Sequence, residues 1–238
     1  MISLASYIDH TLLKPTATHI EIEKICKEAL EYGFAAVCVP PSFVAAATRP
    51  GVRVATVVGF PFGYSVAEAK LAEVERAIAD GADELDVVIN LGFVKEGNWV
   101  GLSGEMGMLT ERVHEAGRLI KVIIESGVLT EAEIVQCCKL YASLGVDFLK
   151  TSTGYAAVGA TVGAVQLMRQ HLPAGIRIKA AGGIRDAMFA RELIAAGADR
   201  LGCSASVDIV KGDVGSGAAR DEGQHAAREQ SEGAKNEY

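Results

Sequence analysis

No run of apolar residues in this 238-residue sequence approaches the roughly 18 that a membrane-spanning helix needs, so no membrane partner is expected. An excess of basic charge is missing too: lysine and arginine total 23 against 30 aspartates and glutamates, for a formal net charge of -7. Phosphate backbones call for clustered cations, so nucleic acid is not an expected partner either. The stretch from Met1 to Lys14 has an early aspartate and lacks a basic end followed by an apolar segment, which is not the pattern of a signal peptide. Five cysteines make an odd count without C-x-x-C spacing, and the adjacent Cys137 and Cys138 fall inside a helical pattern. That suits neither a zinc site nor a disulfide framework; buried thiols in a reduced compartment, the cytoplasm, are expected. No G-x-G-x-x-G follows the first strand pattern, which weighs against a dinucleotide-binding open sheet.

What the sequence does contain is alternation. Thr18-x-x-Glu21, Ser65-x-x-Glu68 and Thr130-x-x-Glu133 each read as a capping box, in which hydroxyl and carboxylate satisfy orphan N–H groups. Apolar residues at helical spacing follow each one, and Gly33, Gly81 and Gly145 close the three patterns as C-caps. Further helices are expected over about 103–117, 161–172 and 186–196. Between the helices lie β-rich runs at 7–11, 35–39, 52–58, 84–90, 119–125, 146–152, 176–182 and 200–204. Strand–helix alternation implies a parallel sheet with right-handed crossovers. Eight strands in one compact chain favour closure, so the expected fold is α/β, a single-domain (β/α)8 TIM barrel over 1–210. A doubly wound open sheet is the alternative. Residues 211–238, rich in Gly, Ala and charge, are expected to form a mobile tail.

Side chains alternate along a strand, so each run divides into two faces. In "ELDVVIN" Leu85, Val87 and Ile89 share one face, and Glu84, Asp86, Val88 and Asn90 the other. The wholly apolar face must meet the helices. The lumen is then expected to hold Asp86, Asn90, Lys121, Glu125, Lys150 and Lys179. A satisfied ion-pair network explains Glu84, Arg177 and Glu125. Lys150 and Lys179 fall on consecutive strands at matching depth, where two ammonium groups lower each other's pKa. A lysine with a depressed pKa offers a free amine for attack on a carbonyl, and Asp86 is a fitting counter-ion and proton relay. On residue types alone, amine catalysis and a structural ion network both remain open.

An anion site is expected beside these lysines. "AAGGIR" (180–185) ends one strand with two glycines before a helix, "GCSAS" (202–206) ends the next, and Gly154 lies close by. Glycine-rich turns and helix N-termini present N–H groups to phosphate, and the loops after strands seven and eight are the usual place in a barrel.

The motifs "IDHTLLKP" (8–15), "GFPFG" (59–63), "ELDVVIN" (84–90), "KVIIES" (121–126), "LKTSTG" (149–154) and "KAAGGIR" (179–185) resemble those of the deoxyribose-phosphate aldolases, in register over about 6–205. The resemblance implies a class I aldolase of deoxynucleoside breakdown. Such an enzyme cleaves 2-deoxy-D-ribose 5-phosphate reversibly to acetaldehyde and D-glyceraldehyde 3-phosphate, with no metal and no other cofactor. Carried over by motif, Lys150 would be the Schiff-base nucleophile, Lys179 would keep that amine deprotonated, and Asp86 would join the proton relay. Gly154, Gly182, Gly183, Gly202 and Ser204 would hold the phosphate, and the terminal Tyr238 would be a further proton relay. The partners implied are small phosphorylated sugars and aldehydes; a homo-oligomer, dimer or tetramer, stays open.

Three positions depart from the family pattern. Pro40 stands where Asn is usual, Tyr155 opens a segment bulkier than the expected glycine-rich one, and Ala205 replaces a second serine. Two other functions compete. One is a sugar-phosphate barrel using Lys and Asp as acid and base, as a decarboxylase or isomerase would. The other is a barrel that binds a phosphometabolite and regulates a partner without turnover.

Overall fold

The computed structural model describes residues 3–213; the expected tail beyond them, with Tyr238, lies outside the described residues. The strands are β1 Ile8–Thr11, β2 Ala36–Val39, β3 Val54–Val58, β4 Glu84–Val88, β5 Leu119–Ile123, β6 Phe148–Lys150, β7 Arg177–Ala181 and β8 Arg200–Cys203. All are parallel and adjacent in chain order, and β8 returns to pair with β1, so the sheet is a closed barrel. Closure removes the open doubly wound alternative. It also leaves no sheet edge with unpaired backbone groups.

The crossovers carry α1 His19–Tyr32, α2 Val44–Ala47, α3 Ala67–Ala79, α4 Leu91–Glu96, α5 Trp99–Glu115, α6 Glu131–Ser143, α7 Val162–His171 and α8 Ala187–Ala195, with a further helical segment at 206–213. Two of the three expected capping boxes form. Thr18 and Glu21 start α1, Thr130 and Glu133 start α6, and in each the hydroxyl accepts from the Glu N–H while the carboxylate accepts from the Thr N–H. Gly33 ends α1 in the left-handed conformation at φ 70°, as expected of a C-cap. The Ser65 box does not form. Val66 is the N-cap of α3, so Glu68 sits at the second helical position and cannot reach back to Ser65. The helix expected from 103 starts earlier, at Trp99, because the Asn98 side chain accepts the Gly101 N–H and caps it there. Gly81 and Gly145 lie one residue past their C-caps, Asp80 and Leu144.

Burial follows the face assignment. Leu85 and Val87 of β4 join Val74 of α3 and Leu109 of α5 in the main core, between barrel and helices. Each such side chain contributes about 1.5–3 kcal/mol when fully buried. The lumen has a much smaller apolar cluster, Cys38, Ala55 and Val57, covered by Leu13 and Phe60. The rest of the lumen holds the Phe148 ring and a cluster of charged side chains. Among the described residues no helix is long and apolar enough to cross a membrane.

The contrast between formed and unformed caps is measurable. Thr130→Ala should cost ~1 kcal/mol of unfolding free energy, whereas Ser65→Ala should stay within ~0.5 kcal/mol. Urea midpoints of the two variants compare them directly, and equal losses would contradict the cap assignment.

Candidate active site

Strand register brings the charged residues together. Lys150 on β6 is the register partner of Lys179 on β7, so the two lysines lie side by side as the sequence predicted. Asp86 on β4 pairs in register with Lys121 on β5, and Lys179 with Arg200 on β8. All these side chains point into the lumen, where the Asp86 carboxylate serves three lysines. Its Oδ1 accepts from Lys121 Nζ at 2.6 Å, and its Oδ2 accepts from Lys150 Nζ and from Lys179 Nζ, both at 2.7 Å.

Below this cluster lies a second layer that sequence reasoning missed in part. Asp9 Oδ2 is 2.5 Å from Lys179 Nζ, and Asp9 Oδ1 accepts from Arg200 Nη1 at 2.5 Å. Glu84 lies 2.7 Å from Lys121 Nζ and accepts from Arg200 at 3.3 and 3.4 Å. Glu84 thus belongs to the expected structural network. Asp9 and Arg200 had a signal, their parity on "IDHT" and "RLGC", but those strands are four residues each and leave only two positions per face to carry it.

Other expected members are elsewhere. The strands stop at Val88 and Ile123, so the alternation that placed Asn90 and Glu125 in the lumen does not extend to them. Asn90 caps α4 by accepting the Phe93 N–H, and Glu125 accepts hydrogen bonds from Thr153. Arg177 also leaves the ion network: its guanidinium lies over the Phe148 ring at 3.9 Å. Pro40 is the residue before the short 3-10 turn Pro41–Phe43.

Three buried carboxylates, Asp9, Glu84 and Asp86, face four buried cations, Lys121, Lys150, Lys179 and Arg200. One cation is in surplus, and the electrostatics single out which. Burial raises the carboxyl pKa values, but the surrounding cations outweigh it and hold all three below the usual carboxylate range. Burial likewise works against Lys121, Lys179 and Arg200, yet their carboxylates raise each above its ordinary value. Lys150 alone of the four moves down: burial dominates, Lys179 adds repulsion, and its share of Asp86 does not make up the difference.

Above the cluster opens a cavity of about 310 Å³. Of the three lysines on Asp86, Lys150 lines it; Lys121 and Lys179 are sealed beneath, each with 0% exposure. Gly154, Gly182, Gly183, Gly202 and Ser204 all line the same cavity, so the expected anion-binding residues converge within reach of Lys150. Two of these positions have no room for a side chain. A Cβ at Gly202 would come within 3.2 Å of Lys179 Cε and 2.9 Å of Ala181 Cβ, in the space the lysine stem occupies. Gly182 has φ 87°, and a Cβ there would meet Gly154 Cα at 3.2 Å. Lys14 and Arg185 add two cations to the lining that the motif reading had not assigned, although Arg185 directly follows "GGI". Ala205 packs against the main core instead. Among the described residues no group of three or more His, Cys, Asp or Glu side chains is placed to hold a metal ion.

Comparison with known proteins gives a consistent answer. Residues 3–197 match the family described as DeoC/LacD family aldolase. A deoxyribose-phosphate aldolase of Thermococcus kodakarensis is 47% identical over 215 residues, covering 88% of this chain and 96% of that protein. One from Streptococcus gordonii is 47% identical over 218 residues, covering 90% and 98%. Among solved structures, a deoxyribose phosphate aldolase of Aeropyrum pernix, described as a unique tetramer, superposes with a TM-score of 0.81. It shares 32% identity and covers 87% of this chain and 89% of its own.

The balance of buried charge predicts the effect of Asp9→Asn. Arg200 and Lys179 would keep their charges without a full counter-charge, at a cost of about 3–5 kcal/mol in chemical denaturation. The folded-state pKa of Asp9 is depressed, so its stabilisation is complete above the unfolded carboxylate value and is lost as pH falls below about 4. Asp9→Asn should therefore show a shallower loss of stability than the wild type over that acid range.

Proposed function

The chain belongs to the DeoC/LacD aldolase family, and from that premise we propose that Lys150 is the amine through which it cleaves 2-deoxy-D-ribose 5-phosphate. The products are acetaldehyde and D-glyceraldehyde 3-phosphate, and the reaction is reversible. One observation carries the choice of residue: of the three lysines bonded to Asp86, Lys150 is the one that lines the cavity and whose pKa is pushed down.

The chemistry follows from that position. The neutral amine adds its lone pair to the C1 carbonyl carbon, and the carbonyl oxygen takes up a proton to give a carbinolamine. Loss of water leaves a C=N bond, protonated on nitrogen. The C3 hydroxyl then gives up its proton and the C2–C3 bond breaks. Its electron pair becomes the C1=C2 bond of an enamine, and C3 leaves as the aldehyde carbon of glyceraldehyde 3-phosphate. Protonation at C2 and hydrolysis of the imine release acetaldehyde and restore the amine.

Each neighbour has a part in this sequence. Lys179 holds a permanent charge beside Lys150 and opposes its protonation. Asp86 accepts from both lysine nitrogens at 2.7 Å, and its Oδ2 takes up and returns the proton that leaves the Lys150 nitrogen as the carbinolamine forms. Held ionised, it also faces the positive charge that appears when the imine protonates, in the place an ammonium would occupy. Gly154, Gly182, Gly183, Gly202 and Ser204 receive the phosphate through N–H and hydroxyl donors, with Arg185 and Lys14 adding charge.

The Aeropyrum relative described as a tetramer supports a homo-oligomer, dimer or tetramer. Five free cysteines, all buried, support a reducing compartment such as the cytoplasm.

Borohydride reduction in the presence of acetaldehyde, followed by peptide mass mapping, should place an ethyl group on Lys150. An adduct confined to any other lysine would remove the assignment. Lys179→Met should lower kcat/KM by at least about 100-fold with the fold retained. With Lys179 gone the buried charges balance, Lys150 is favoured as the third cation, and its pKa rises. The ascending limb of the residual pH–rate profile should then move to higher pH; an unmoved limb would leave Lys179 a purely structural role.

A further inference from the structure

The loop after β6 is tied at both ends of a short strut. Glu125 is the single non-glycine residue with positive φ among the described residues, at 51°, and its carboxylate is almost fully buried. A carboxylate buried there needs donors, and Thr153 supplies them: its hydroxyl donates to Glu125 Oε2 at 2.5 Å, and its N–H points between both carboxylate oxygens at 3.3 Å. The same hydroxyl oxygen accepts the Tyr155 N–H at 3.0 Å. The Tyr155 phenol then reaches across the cavity mouth and donates to the Leu13 carbonyl, after β1, at 2.9 Å. Its ring meets Phe60, after β3, edge to face at 5.4 Å. A half-exposed tyrosine bonded within its own loop and held by two others is not a loose surface ring. It forms a cross-beam.

Tyr155, Leu13 and Thr153 line the cavity that holds Lys150 and the glycines of the anion end. The ring is therefore part of the wall of the cavity in which an aldehyde acceptor would meet Lys150. We propose that Tyr155 is a specificity-determining residue that restricts the acceptor to a short chain, and that Glu125 and Thr153 are positioning residues for it. The inference rests on the reading of Lys150 as the imine-forming amine. A rigid wall rejects bulk sterically, and a pocket wall of this kind changes discrimination by about 10- to 200-fold. A strained backbone at Glu125, kept in place of an easily accommodated glycine, fits a residue retained for what its carboxylate holds.

The test measures kcat/KM in the synthetic direction, with acetaldehyde as donor and either D-glyceraldehyde 3-phosphate or hexanal as acceptor. Tyr155→Ala should raise the hexanal to glyceraldehyde 3-phosphate ratio by about tenfold or more, with the loss on the phosphorylated acceptor carried mainly by KM. Tyr155→Phe keeps the ring but loses the bond to Leu13, so its ratio should fall between wild type and Tyr155→Ala. Thr153→Val should shift the ratio in the same direction, and Thr153→Ser, which keeps the hydroxyl, should restore it. A ratio within about twofold of wild type for Tyr155→Ala, or a Thr153→Ser variant no better than Thr153→Val, would overturn the proposal. Acetaldehyde–borohydride labelling of Lys150 in each variant reports on the amine separately. Its failure in the wild type would sink the Lys150 reading, while the acceptor ratio would still decide the role of Tyr155.

Discussion

A single carboxylate shared by three lysines is the constraint around which the interior is organised. Asp86 bonds Lys121, Lys150 and Lys179 at 2.6–2.7 Å in the buried lumen. Buried charges are tolerated only when paired and hydrogen-bonded, because desolvation costs several kcal/mol per ion. Asp9 and Glu84 complete the pairing for Lys179, Lys121 and Arg200, and the supply of carboxylate then ends. The network is one anion short. That shortage falls on Lys150, which shares Asp86 Oδ2 with Lys179 and has no second carboxylate. The depressed pKa of Lys150 thus follows from burial first, and from Lys179 beside it, against the one carboxylate that it has to share.

Barrel closure is what makes such a count possible. Residues from β1, β4, β5, β6, β7 and β8 meet inside because alternate side chains of a closed sheet share one small space. The same geometry separates the tasks. Arg200, Glu84, Asp9, Lys121, Asp86 and Lys179 stay off the cavity lining, and Lys150, last residue of β6, reaches it. Gly202 makes room for the stem of Lys179 at this level, so one glycine serves both the lysine below and the cavity above.

Much of this was legible because two periodicities are strong. Helical spacing with Thr-x-x-Glu starts located α1 and α6, and alternation in "ELDVVIN", "LIKVIIE" and "VDFLKTS" put Asp86, Lys121 and Lys150 on one face. The failures share a cause: a period holds only while its element lasts. Asn90 and Glu125 were carried two residues past the ends of β4 and β5, where the backbone turns and each takes up a local bond. Ser65 was assigned a helix that begins one position too late for its box. Asp9 and Arg200 lie on strands of four residues, too short for parity to be read from composition. Tyr155 carries no periodic signal at all. Its place depends on the loops after β1 and β3, and only the folded chain brings Leu13 and Phe60 to it.

The anion end of the cavity has to answer to the same electrostatics as the lysines. A phosphate carries close to two negative charges near neutral pH, and any anion near Lys150 favours its protonated form. A substrate held by an uncompensated phosphate would therefore disarm the amine that must attack it. In the proposed reading, Arg185 and the N–H groups around Gly182 and Gly183 counter that charge at the glycine-rich end, with Lys14 sharing its own charge with Glu21. On the same reading, a cavity lined by Lys14, Lys150 and Arg185 in a chain of net charge -7 would draw an anionic substrate against the overall repulsion. Neutralising the phosphate locally lets the shortage of carboxylate below Lys150 persist when the cavity is filled. In the proposed reading, the phosphate site and the lysine cluster are parts of one charge balance.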